Sequence, residues 1–179
     1  MTEPIPDRLN DDERVHRIAA ALARDVGRFT TGDVAALRRM DPRRIDAAAF
    51  WKIEALFLDD MLPGEAEARA RQETRWAVVV TGLAVLGPLH RKGARLGDAL
   101  RAAEISEVRF VRLLRADEEA LLDELPSLAR QLAAKGTPVD WADAARLLLL
   151  DGGDGERAER HRRALARDYY RDPDAKPAT

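Results

Sequence analysis

The stretch WAVVVTGLAVLGPL, from Trp76 to Leu89, constrains the fold more than any other part of the chain. It is too apolar to lie on a surface, yet Thr81, Gly82, Gly87 and Pro88 interrupt it, and it falls short of the about 20 residues that cross a bilayer. It must therefore be core. Its valine triplet has strand propensity, but no second strand is visible to pair with it. The polar segment just before it, EAEARARQETR, carries Glu65 four residues before Arg69 and Glu67 four before Arg71, the stabilising order on a helix surface. One helix is predicted, with a surface first half and a buried second half.

The remaining segments read as helices as well, because Ala, Leu, Arg and Glu dominate and apolar residues recur at helical spacing. Residues 1–9 form an N-terminal tail and 172–179 a C-terminal one. Asn10 or Asp11 caps a helix with Val15, Ile18, Ala19, Leu22 and Val26 on its apolar face, ending near Gly27. Thr30 or Thr31 caps a short helix closed by Asp41-Pro42, and Asp46 opens DAAAFWKIEALFLDDML, which stops at Pro63-Gly64. After the linker GPLHRKGAR come LGDALRAAE, a helix capped by Ser106, then DEEALLDEL and PSLARQLAAKG, with Pro126 either in the first turn of a new helix or at a kink, since its ring does not suit a straight helix interior. Asp140 caps WADAARLLLL, and the loop DGGDG leads to a last helix over 156–171. The expected architecture is an all-α helical bundle over 10–171, either one unit or two lobes, 10–87 and 95–171, meeting at the linker. Trp51, Trp76 and Trp141 are its expected packing anchors.

Several chemistries are excluded or disfavoured. There is no cysteine, so no disulfide, thiol nucleophile or cysteine-based zinc site exists. His16, His90 and His161 are far apart in sequence, which weighs against a metal site; DGGDGE lacks the alternating ligands of a calcium loop; and no phosphate-binding glycine loop or nucleophile elbow occurs. Neither a catalytic residue nor a cofactor is expected. The acidic, proline-bearing start lacks the pattern of a secretory signal, and the expected setting is soluble and cytoplasmic.

What remains is arginine. In SEVRFVRLLRAD, residues 106–117, a projection at about 100° per residue gathers Phe110, Val111, Leu113 and Leu114 on one side and Arg109, Arg112 and Arg115 on the other. Arg109 and Arg112 have no acidic partner a turn away on their own helix, so they form either an ordinary solvated face or a site compensated by an anion outside the helix, for which the forked guanidinium suits a phosphate. The last helix repeats the pattern with Arg157, Arg160, Arg163, Arg167 and Arg171, partly offset by Glu156 and Glu159. Arg38-Arg39 with Arg43-Arg44, and Arg91-Lys92 with Arg95, add basic clusters, while acids collect at 11–13, 59–60 and 117–124. With 30 basic against 32 acidic side chains, only such a segregation of signs gives the chain a basic strip.

The order of LGDALRAAEISEVRFVRLLRAD, VDWADAARLL and an Arg-rich helix ending RDYY, with weaker matches in LRRMDP and FWKI, resembles the CasB family, the small subunit of the type I-E CRISPR Cascade complex. The resemblance runs from about Ala35 to Tyr170. It implies a non-catalytic helical subunit of an antiviral ribonucleoprotein, paired head-to-tail with a second copy, packed along the backbone and large subunits, and touching crRNA and the target and non-target DNA strands of the R-loop, with no membrane partner. By position it implicates Arg109 and Arg115 first, then Arg39, Arg160 and Arg162. Arg112 and Arg163 rest on the helix projections alone, and Arg91, Lys92 and Arg95 on the linker cluster. The competing expectations are a helical protein-protein adaptor whose arginines bind acidic partners and, less favoured for want of a ligand set, a hydrolase or nuclease.

Overall fold

A single long helix, α4 (Ala66–Leu86), runs through the middle of the structure and is buried almost continuously from Arg75 to Leu86. The structure is a computed structural model that describes residues 10–23, 28–150 and 155–171. Around α4 pack α1 (Asp11–Leu22), α2 (Thr31–Arg39), α7 (Glu118–Ala134) and α8 (Trp141–Leu149). The valine triplet is thus helical, and no strand occurs among the described residues. The long apolar run solves its burial problem by being wrapped from several sides, so it needs no amphipathic face of its own. α5 (Leu96–Ala102) and α6 (Glu107–Arg115) follow the linker, and α9 (Gly155–Tyr170) lies along α5.

Local chemistry starts most of these helices where the sequence places them. Asn10 and Thr30 form reciprocal capping boxes with Glu13 and Asp33, and the side chains of Ser106, Asp117 and Asp140 accept first-turn N–H groups of α6, α7 and α8. Two close approaches fix how α8 packs on α4 and how α9 packs on α5. A β-carbon on Gly82 would lie 2.3 Å from the Trp141 indole, and one on Gly97 would lie 2.6 Å from the Leu165 carbonyl of α9. Both positions need a residue without a side chain.

The structure departs from the sequence reading in four places. α1 stops at Leu22, and Val26 and Gly27 lie outside the described residues, as does most of the DGGDG loop. Asp46 does not open the third helix. α3 spans Ala48–Ile53 behind Ala47, which makes no side-chain cap, because Asp41 organises a tight turn that forces Ile45 to a φ of 47° and delays the helix. The next residues, Glu54–Leu58, continue as a π turn in which the Asp59 N–H donates to the Glu54 carbonyl, and Trp51 is left 47% exposed at the rim while Trp76 and Trp141 are fully buried. The pieces around Pro126 are one helix. α7 runs through it because Leu121, Leu125, Pro126, Leu128, Ala129 and Leu132 bury a continuous stripe, and that burial outweighs the one backbone bond the ring removes.

α9 is anchored to α8 by His161, whose Nε2–H donates to the Asp143 carbonyl at 2.7 Å. Burial, only partly opposed by that bond and by Asp143, pushes its pKa below the ordinary 6.5. A base whose folded pKa is depressed contributes fully above its unfolded value, and its contribution is lost as pH falls below about 6.5 toward the folded value. The melting temperature should therefore drop as pH is lowered from 7 through 6. In His161→Gln, which keeps a donor for the carbonyl but cannot titrate, that drop should be smaller; an equally steep profile in the variant would show that His161 contributes nothing to it.

Candidate nucleic-acid interface

α6 presents its arginines because its other face is locked down. Phe110 and Leu113 are buried, and the Phe110 ring stacks on Tyr169 with centroids 3.9 Å apart. Tyr169 Oη donates to the Ile105 carbonyl at 2.6 Å, and Tyr170 Oη donates to Glu107 at 2.7 Å. The RDYY end of α9 and the SEVRFVRLLRAD helix, 50 and more residues apart in sequence, are thus one structural unit. Asp168 on the same turn of α9 accepts from Arg95 and Arg171, so the linker cluster joins this unit through α9.

The three α6 arginines are not equivalent. Arg109 is mostly buried: it donates to Gln131, to Ser127 at 3.3 Å and to Glu124 at 3.4 Å, stitching α6 to α7. Arg112 is exposed and pairs with the other oxygen of Glu124. The anion that compensates both is therefore in the same chain. Arg115 is exposed and makes no ion pair or side-chain hydrogen bond among the described residues. Arg112 and Arg115 border an open groove of about 700 Å³ with Val108, Val111, Ala116 and Ala120 along it; Val108 is 81% exposed.

Elsewhere the candidates divide in the same way. Arg39, Arg91 and Lys92 are exposed, with no side-chain partner among the described residues. Arg95 pairs with Asp168, Arg160 with Glu156 and Arg163 with Glu159, the last two along α9 itself; Arg162 is half-buried. Arg43, one of the unbalanced cluster at 38–44, reaches Glu119 and Asp123 on α7.

The segregation of signs expected from the sequence does not hold in space. Each acidic run meets arginine from another element: Asp12 holds Arg146, Asp60 holds Arg14, Asp59 holds Arg69, and the 117–124 run receives Arg43, Arg75, Arg109 and Arg112. The Arg75 bond to Glu118 holds that carboxyl below its ordinary value. Counting charges within one helix misses such pairs, because the acids that answer them arrive by packing. The sequence reading also missed a cluster. His16 and His90, remote in the chain, have ring centroids 5.5 Å apart, and His16 Nε2 lies 2.9 Å from Asp140.

The helical body that carries these arginines is that of a known family: a family model described as CRISPR-associated protein Cse2 matches residues 33–170. The chain belongs to the Cse2 family. Cse2 is the small subunit of the type I-E CRISPR Cascade complex, and CasB is an equivalent name, so the resemblance read in the sequence is borne out. The match takes in most of α2, all of α3 to α9, and every arginine named above as a candidate contact except Arg171 at the end of the last-helix pattern. Comparison with curated proteins and with solved structures returns no match. No helix among the described residues is long and apolar enough to cross a membrane.

Proposed function

We propose that this Cse2-family chain is a non-catalytic Cascade subunit that holds the R-loop through exposed arginines, stabilising the displaced non-target strand by sequence-independent phosphate contacts. A guide RNA held by other subunits supplies sequence selection, so the chain needs only to neutralise backbone charge. The observation that carries this reading is Arg115: an exposed guanidinium at the end of a rigidly anchored helix, without a partner among the described residues, beside a second exposed arginine. Arg39, Arg91 and Lys92 are free in the same sense and extend the surface available to crRNA and the DNA strands. Arg109 has a different part. Its bonds to α7 aim α6, and its phosphate role is secondary. The exposed Trp51, Leu56 and Val108 suit packing against a second copy and the backbone and large subunits.

The test is to separate Arg115 from Arg109 in reconstituted complex. Arg115→Ala should leave stability within about 0.5 kcal/mol, since it removes an exposed, unbonded side chain. Target DNA affinity should fall, with about 1.5–3 kcal/mol per charged hydrogen bond as the ceiling and less at high salt. Arg109→Ala should instead lower the melting temperature of the free subunit, through about 0.5–1.5 kcal/mol for each hydrogen bond lost to Gln131, Ser127 and Glu124. Wild-type affinity and R-loop lifetime at two salt concentrations, with Arg115→Ala shown to be incorporated, would overturn the phosphate reading. Failure of Arg115→Ala to assemble would make Arg115 part of a protein interface.

A further inference from the structure

Among the described residues, the one group of metal-ligating side chains that the R-loop reading leaves without a role is His16, His90 and Asp140, from three elements: α1, the linker and the N-cap of α8. We infer that these residues form a binding site for a divalent transition-metal ion of the zinc type, which clamps α1 and the linker onto the start of α8.

One ligand atom from each residue lies within 4.8 Å of the others. The His16 Nε2 atom is already 2.9 and 3.2 Å from the two Asp140 oxygens. Zinc bonds of about 2.0–2.1 Å in tetrahedral array set ligand atoms about 3.4 Å apart, so no separation has to close by more than about 1.4 Å, within reach of side-chain rotation. The carboxylate is already oriented, since it accepts the Gly93 N–H at 2.8 Å and the Ala142 N–H at 3.2 Å. Such supporting bonds are what hold a metal ligand in place. Two imidazoles and one carboxylate favour zinc and its neighbours over calcium or magnesium, which prefer all-oxygen shells. His16 and Asp140 keep 20% and 12% of their side-chain surface, which leaves an opening for water as the fourth ligand.

His90 gives the site a built-in reporter. Its Nδ1 accepts the Trp141 N–H at 3.1 Å, so in the metal-free state the ring proton is on Nε2. If the ion takes Nδ1 it displaces that N–H directly; if it takes Nε2, the proton moves to Nδ1 and the acceptor is lost. Either way the Trp141 amide changes partner. It is in the first turn of α8, where an N–H has no partner inside the helix, so the exchange does not disturb the helix itself.

The experiment titrates zinc sulfate into tag-free full-length protein in a non-coordinating buffer, by calorimetry and by amide NMR. The expected result is saturable binding of one zinc per chain, a raised melting temperature, and a Trp141 amide signal that shifts in step with occupancy. His16→Ala and His90→Gln should each weaken binding at least about tenfold, because loss of a mere outer-shell partner already costs 10- to 100-fold. No saturable binding, zinc bound with the Trp141 amide unmoved, or affinity unchanged in both variants would each overturn the site. The wild-type Trp141 signal decides the matter even if one variant does not fold.

Discussion

Trp141→Ala is expected to lower stability by about 3–5 kcal/mol, as for other large buried aromatic side chains. Trp141 is fully buried, sits one residue after the Asp140 cap, and its indole N–H donates to the Val79 carbonyl at 3.2 Å in the middle of α4. The same indole lies where a β-carbon on Gly82 would be. The two positions must therefore be strongly coupled. In the wild type, Gly82→Ala should destabilise by about 1–3 kcal/mol through overpacking, because the large rigid ring has nowhere to go. In the Trp141→Ala background the obstruction is gone, and the same change should stabilise by up to about 1 kcal/mol, the helix-propensity gain of Ala over Gly. A denaturant double-mutant cycle measures this. Additive effects of the two changes would show that α8 does not seat on Gly82.

That lock also marks what a sequence can and cannot disclose about this chain. The helices and most of their caps were legible because their signals are local: an Asn or Thr with an acid three residues later, or a Ser, Asp or Thr before an apolar run, works within one turn. The course of α7 through Pro126 was not, because the compensation comes from the core on the other side of the stripe. The delayed start of α3 depends on Asp41 reaching forward to the Arg44 and Ile45 N–H groups, a turn that no period in the sequence announces. Gly82 reads as an interruption of the apolar run and turns out to be its most exacting position.

The candidate interface was legible in part for the same reason. That α6 has an apolar and a basic face follows from spacing, but which arginines are satisfied depends on Glu124, which lies 9 residues beyond Arg115 and comes back beside Arg109 and Arg112 only when α7 folds against α6. Family membership and helix projection cannot distinguish Arg109 from Arg115. Packing does, and it separates a residue that aims the helix from one that is free to meet a phosphate. His16 and His90 make the complementary case, since their distance in sequence hid a contact that the fold creates.

Trp76→Ala should cost a similar about 3–5 kcal/mol, for a different physical reason from Trp141. Trp76 is also fully buried, at the point where α4 passes from its surface half to its core half, but its indole N–H has no hydrogen-bond partner among the described residues. An unpaired buried donor costs about 1–3 kcal/mol that the ring's packing has to outweigh. Trp76→Phe removes that donor while keeping most of the aromatic volume, so it should lose far less than Trp76→Ala, at most about 1.5 kcal/mol. Trp141→Phe gives up a bond that is made, and should lose more than Trp76→Phe by about the 0.5–1.5 kcal/mol of one hydrogen bond. Denaturant midpoints for the four single variants test the ranking. If Trp76→Phe proves the more damaging of the two phenylalanine changes, the Trp76 indole has a polar partner in solution, and α4 owes its position to that bond as well as to apolar burial.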